Sequence, residues 1–192
     1  DDILLKKLAQ KIRHIKQNTV LVLHMIGSHG PAYYERYPEK FSHFKPDCRT
    51  SDIQSCSKEE IVNTYNNTIV YSDYILSSAI DILKKNANKY RNDSLIYISD
   101  HGESLGENNT YLHGLPYAFA PKTQTQVPML FWLSKNMKKE INSQCLQKKA
   151  SVQHSQDNFF HTVLGMADVQ SSLYQKDMDI TADCRQNDVA AK

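Results

Sequence analysis

The chain has 192 residues, 40% hydrophobic and 23% charged, which suits one globular domain with a real core. A net charge of +2 with no dense Lys/Arg cluster excludes the basic footprint of a nucleic-acid binder. No apolar run approaches the ~20 residues that span a bilayer, and neither a signal peptide nor an initiator Met is present. The chain enters a helical pattern directly at Asp1-Asp2, and so reads as a piece of something longer.

From Ile3 to Gln17, Leu4, Leu5, Leu8, Ile12 and Ile15 recur among lysines and polar residues, which predicts an amphipathic helix closed by Asn18. Val20-Leu21-Val22-Leu23 predicts a short buried strand that opens into His24-Met25-Ile26-Gly27-Ser28-His29-Gly30-Pro31. Residues 32–56 lack periodicity and read as a long structured loop. Ser57 and Glu60 then form a capping box for the longest helix, with Ile61, Tyr65, Ile69, Ser72, Ile75, Leu76, Ala79, Ile80 and Leu83 as its core stripe and a break over 86–92. That helix is expected to lie on a sheet, as the right-handed crossover between parallel strands at 20–25 and 94–99.

The second strand, Ser94-Leu95-Ile96-Tyr97-Ile98, delivers Ser99-Asp100-His101-Gly102-Glu103-Ser104-Leu105-Gly106-Glu107, with His113-Gly114 just after. Strand neighbours point to opposite faces, so Asp100 and His101 converge only where the backbone turns, which Gly102 and Gly106 permit. Farther on, 127–133 predicts a strand with Pro128 near its start, 135–151 reads as polar surface, and 157–166 predicts a helix capped by Ser155. Its apolar side would be Phe159, Phe160, Val163 and Leu164. The tail after Asp168 is irregular, pinned by Cys184 and fraying at Ala190-Ala191-Lys192.

Two strands that both release metal-type residues at their carboxyl ends point to an open α/β sheet with a ligand crevice beyond the strand ends. A carboxylate with imidazoles is a donor set that zinc selects. Asp100 and His101 are the candidate ligands; His29 and His113 would bind a second metal or hold an anionic substrate. The reaction class is metal-assisted transfer or hydrolysis of a phosphate or sulfate ester. His14, His24, His43, His154 and His161 read as structural, and no nucleophile is visible, so the residues alone give half a site. Four cysteines allow three pairings. Cys48 and Cys56 bracket a short polar loop, which leaves Cys145 and Cys184; two such bonds mean an oxidising compartment, whereas four free thiols would suit a cytosolic protein.

The segments Gly27 to Pro38, Ser99 to Asn108 and Tyr111-Leu112-His113-Gly114 closely resemble the lipid A phosphoethanolamine transferases, a family that includes the mobile colistin-resistance enzymes. Ala120-Pro121-Lys122, Val127-Pro128-Met129, Ser155-Gln156-Asp157-Asn158 and Asp183-Cys184-Arg185 extend the likeness along the chain. The resemblance implies an α/β alkaline-phosphatase/sulfatase fold, here the C-terminal portion (1–192) of a single periplasmic catalytic domain, on the periplasmic face of a Gram-negative inner membrane. It implies zinc on Asp100 and His101, with phosphatidylethanolamine as donor and lipid A as acceptor. It also implies His29 and His113 on the phosphoethanolamine or a second zinc, Glu39 as a further second-metal ligand, and Cys48–Cys56 and Cys145–Cys184 as disulfides. The family's zinc-ligating Glu and nucleophilic Thr lie upstream of these motifs and no residue here matches either, so residues 1–192 alone are expected to be inactive. A phosphoglycerol transferase, a sulfatase or phosphodiesterase of the same superfamily, and a non-catalytic zinc-binding fragment are the rival readings.

Overall fold

The structure, a computed structural model, describes residues 1–88 and 90–186; the expected fraying at 190–192 lies outside them. The described residues form two compact units. The first comprises 1–14, 22–86 and 95–132, and the second comprises 15–21, 87–94 and the described part of 133–192.

In the first unit, helix α1 (Asp2–Ile12) is shorter than its pattern and ends at Arg13. Helix α2 (Lys58–Asn86) begins as read: Ser57 N donates to Glu60 Oε2 (2.7 Å) and Glu60 N to Ser57 Oγ (3.3 Å). Its buried face differs from the expected stripe. Ile69 is exposed, while Thr64, Asn67 and Thr68 are buried beside Ile61, Tyr71, Ile75, Ala79 and Leu83. These polar side chains are buried because each has a loop partner. Thr64 Oγ1 accepts from Cys48 N (2.6 Å), Asn67 Oδ1 accepts from His43 N and Phe44 N (both 2.8 Å), and Thr68 Oγ1 donates to Ser28 Oγ (2.6 Å). The long loop is thereby fastened to α2. It carries three single-turn 3-10 segments at Tyr33–Glu35, Glu39–Phe41 and Ile53–Ser55, and the Cys48–Cys56 disulfide.

Strand β1 (Ser94–Ile98) forms where its β-branched run predicts, and β4 (Met129–Leu133) begins just after Pro128; the two make a two-stranded sheet. Between them an unanticipated hairpin pairs β2 (Ser104–Leu105) antiparallel with β3 (Tyr111–Leu112), Ser104 opposite Leu112, followed by the short helix α3 (Lys122–Thr125). The expected strand at 20–25 is not formed, and neither is the crossover sheet built on it. The segment belongs to no ladder, and Val20 and Val22 are exposed. A strand sequence becomes a strand only when a neighbour takes its backbone hydrogen bonds, and no described residue does so here.

The second unit corrects the reading of 135–151 as plain surface. Helices α4 (Met137–Glu140) and α5 (Ser143–Lys149) flank the buried Ile141, which with Leu133, Met137 and Cys184 forms an apolar cluster closed by the Cys145–Cys184 disulfide. Helix α6 (Asp157–Met166) lies where expected, but its N-cap is Gln156 and not Ser155; Ser155, one residue earlier, accepts from Asp157 N through Oγ (3.2 Å). Its buried residues are His161 and Thr162, whereas Phe160 is exposed. His161 is structural as read, since its Nδ1 accepts from Gln175 N (3.1 Å). Among the described residues no helix is long and apolar enough to cross a membrane.

Candidate metal and phosphoryl site

All parts of the candidate site belong to the first unit. The loop after residue 25 is fixed by Asp1, whose carboxylate accepts from Ile26 N and Gly27 N (both 3.0 Å), and by the Ser28–Thr68 bond. It presents His29. The turn after β1 presents Asp100 and His101, and the end of the hairpin presents His113. Two glycines make room for this convergence. A Cβ on Gly102 would overlap the Thr123 carbonyl, and one on Gly30 would come within 2.6 Å of Leu112 Cδ2 and 2.8 Å of the Tyr33 ring.

The three imidazoles come together. His101 and His113 stack with centroids 3.8 Å apart, and His29 meets His113 edge-on at 5.0 Å. One ring nitrogen from each lies within 4.8 Å of those of the other two. Their Nδ1 atoms are committed: His29 Nδ1 to the Gly30 carbonyl (2.6 Å), His101 Nδ1 to the Gly102 carbonyl (3.0 Å) and His113 Nδ1 to Glu103 Oε1 (3.1 Å). A carbonyl or carboxylate only accepts, so each Nδ1 carries the proton and each Nε2 is left with a lone pair. Asp100 is strongly exposed, with Oδ2 3.8 Å from His101 Nε2 and Oδ1 accepting from His101 N (3.1 Å). Asp100 and His101 therefore stand side by side, as their sequence positions suggest. Glu39 is not brought to this group; it pairs with Arg49 (2.7 Å) and Lys45 (3.5 Å).

Sequence reading assigned no role to the residue that binds these pieces. Glu103, only 7% exposed, accepts from His113 Nδ1, from Gly30 N (3.3 Å) and, on its other oxygen, from the Tyr33 hydroxyl (3.0 Å). One buried carboxylate thus ties the His29 loop to the His113 hairpin. Burial, then the charge and hydrogen bond of Glu103, push the Tyr33 phenol far above its ordinary value, so it stays a donor across the working pH range. Leu112, between Tyr111 and His113, is held at φ 62°, a conformation that disfavours branched side chains. Both Glu103 and Tyr33 lie inside the quoted motifs, but nothing local signals their contact across 70 residues.

The donor set suits zinc: imidazole nitrogens with fixed tautomers and an adjacent carboxylate. The chain belongs to the sulfatase family, whose sequence profile matches residues 1–169. It is 53% identical over 188 residues to phosphoethanolamine transferase EptA of Escherichia coli (strain K12), covering 96% of this chain and 34% of that enzyme. The soluble domain of lipooligosaccharide phosphoethanolamine transferase A from Neisseria meningitidis superposes with a TM-score of 0.90 at 45% identity, over 97% of this chain and 56% of that one. The C-terminal periplasmic domain of phosphoethanolamine transferase EptC from Campylobacter jejuni superposes with a TM-score of 0.87 at 43% identity, over 94% and 57%. The chain spans about a third (34%) of the length of its curated E. coli relative.

Proposed function

We propose that these residues are the C-terminal part of a periplasmic catalytic domain that transfers phosphoethanolamine from phosphatidylethanolamine to a phosphate of lipid A. The observation that carries this reading is the convergence of one ring nitrogen each from His29, His101 and His113, with Asp100 beside His101. The named activity of the similar transferases and the two disulfides, which suit an oxidising compartment, support it.

In this reading Asp100 and His101 hold zinc, and His29 and His113 face the phosphoryl group or a second zinc. Zinc would draw electron density from phosphoryl oxygens and stabilise the charge that develops during transfer. His113, whose Nδ1–H is held by Glu103, would present its Nε2 lone pair to the second zinc or stand beside the phosphoryl group, and His29 would do the same from the opposite loop. The nucleophilic Thr and the zinc-binding Glu of the resembling family have no counterpart among these residues, so the isolated 192-residue chain is expected not to turn over. Adding an ethanolamine amine to lipid A offsets its negative charge, which would weaken binding of polymyxin-type cationic peptides.

The test is to express the full-length protein in a Gram-negative host lacking such transferases and to weigh its lipid A. Gain of phosphoethanolamine, abolished by Asp100→Ala together with the zinc content, is the expected result. Unmodified lipid A from a folded, zinc-loaded protein, or full zinc occupancy in the Asp100→Ala variant, would overturn the assignment. Gain of phosphoglycerol instead would select the rival donor.

A further inference from the structure

Immediately after His113 the chain leaves the packed body. Residues 114–119, Gly-Leu-Pro-Tyr-Ala-Phe, are all exposed, Tyr117 at 86% and Phe119 at 80%. Gly114 turns the chain outward at φ 101°, with open space around it. The segment is a compact turn, because Phe119 N and Ala120 N both donate to the Pro116 carbonyl (2.8 and 3.0 Å). Both of its ends are rooted in the imidazole site. One is His113. The other is the buried Gln124, whose carbonyl accepts from Gly102 N (2.9 Å) and whose Nε2 donates to Ser104 Oγ (2.9 Å).

The composition selects the surroundings of this turn. No Asp or Glu occurs between Glu107 and Glu140, and the exposed Lys122 is the one Lys or Arg from 108 to 134. Two aromatic rings, one proline without an N–H group, a backbone bonded to itself and a lysine behind it match the boundary between lipid headgroups and acyl chains. A carboxylate there would be repelled by lipid phosphates, and none is present.

We propose that residues 115–119 insert into the headgroup layer of a phospholipid bilayer and so set the imidazole site at headgroup depth. The proposal deepens the transferase reading by stating how the site meets a lipid, and as a mechanism it rests on that reading. Its test does not require turnover. All four cysteines are in disulfides, so Phe119→Cys in the 192-residue chain takes a thiol-directed, polarity-sensitive fluorophore selectively, and Lys58→Cys, exposed on α2, serves as control.

With vesicles of phosphatidylcholine and phosphatidylglycerol, the probe at 119 is expected to brighten, shift to the blue and be quenched by brominated acyl chains, while the probe at 58 stays unchanged. In the unlabelled chain, Tyr117→Ser with Phe119→Ser should weaken vesicle co-sedimentation by about tenfold, and Ile69→Ser, an exposed apolar control, should not. An unchanged probe at 119, or co-sedimentation indifferent to the double substitution, would overturn the proposal. So would a concentration-dependent dimer that the same two substitutions abolish, because the turn would then meet a second copy. Insertion into these ethanolamine-free vesicles together with unmodified lipid A in the transfer assay would sustain the docking surface while removing the transferase reading.

Discussion

Glu103 in the first unit and Asp179 in the second are both buried carboxylates, and the two are partnered in opposite ways. Asp179, 5% exposed, accepts from the Tyr174 hydroxyl (2.8 Å), from Thr181 N and Oγ1 (both 2.8 Å) and from the Arg185 guanidinium. Glu103 also accepts from a tyrosine hydroxyl and a backbone amide, but its third donor is an imidazole. Arginine is always charged, so Asp179 has permanent compensation and nothing left to do. An imidazole carries positive charge only when protonated, and otherwise leaves Nε2 free for a cation. Glu103 therefore fixes the His113 ring through Nδ1 and leaves its other nitrogen uncommitted to the protein scaffold. A buried carboxylate facing arginine marks a structural joint, and one facing histidine marks a site.

The sharpest way to break this comparison is Asp179→Ala. It leaves Arg185 half-buried without its carboxylate and should destabilise the protein by about 3–5 kcal/mol in urea unfolding, with zinc binding unchanged. Loss of zinc without loss of stability would reverse the roles. The cross-links separate the units next. Cys145–Cys184 spans 39 residues and Cys48–Cys56 spans 8, so replacing each pair by serine should cost about 4 and about 2.5 kcal/mol respectively by loop-closure entropy. Equal losses would show that the two loops are not open in the unfolded chain as that argument requires.

Glu103→Gln keeps the shape and removes the charge. Zinc affinity, read by competition with a chelating dye, should fall about 10–100-fold while the unfolding midpoint moves little. An unchanged affinity would make Glu103 a brace only.

The smallest effect concerns Asp47, a carboxylate of the first unit partnered like Asp179. Burial pushes its carboxyl up, but hydrogen bonds from Lys45, Tyr37 and Ser42 and the Arg49 charge outweigh burial and hold it below the ordinary value. Its contribution is thus present above the unfolded-state value of about 3.9 and is lost as pH falls through the lower folded value. Asp47→Asn should cost about 1 kcal/mol at pH 7 and flatten the acid limb of stability below about pH 4. Urea midpoints at neutral and acid pH check both.

Much of this was legible along the chain. The Ser57–Glu60 box, the β-branched run of β1 and the Gly-flanked histidines are local signals, and local chemistry decides them. The cysteine pairs needed the family likeness as well as their spacing. The rest depends on partners far away in sequence. Val20 to Leu23 reads as a strand because hydropathy records burial propensity and not the neighbour that would complete a ladder. Thr64, Asn67 and Thr68 look like the wet side of α2 until the loop that saturates them is placed. Glu103 and Asp179 are both ordinary acids in the sequence; only the donors around them tell them apart.

Leu112 carries a consequence of a different kind. A leucine at φ 62° sits about 1–2 kcal/mol above its relaxed conformation, so the hairpin end does not hold that pose by local preference. It is held by packing on Tyr33 and by the Ser104 pairing, both joined to Glu103 or its neighbour. Those contacts offset the conformational cost at the hairpin end that carries His113. The placement of His113 beside the other two imidazoles is consequently decided by contacts that reach across to the His29 loop, and not by the hairpin's own conformational preference.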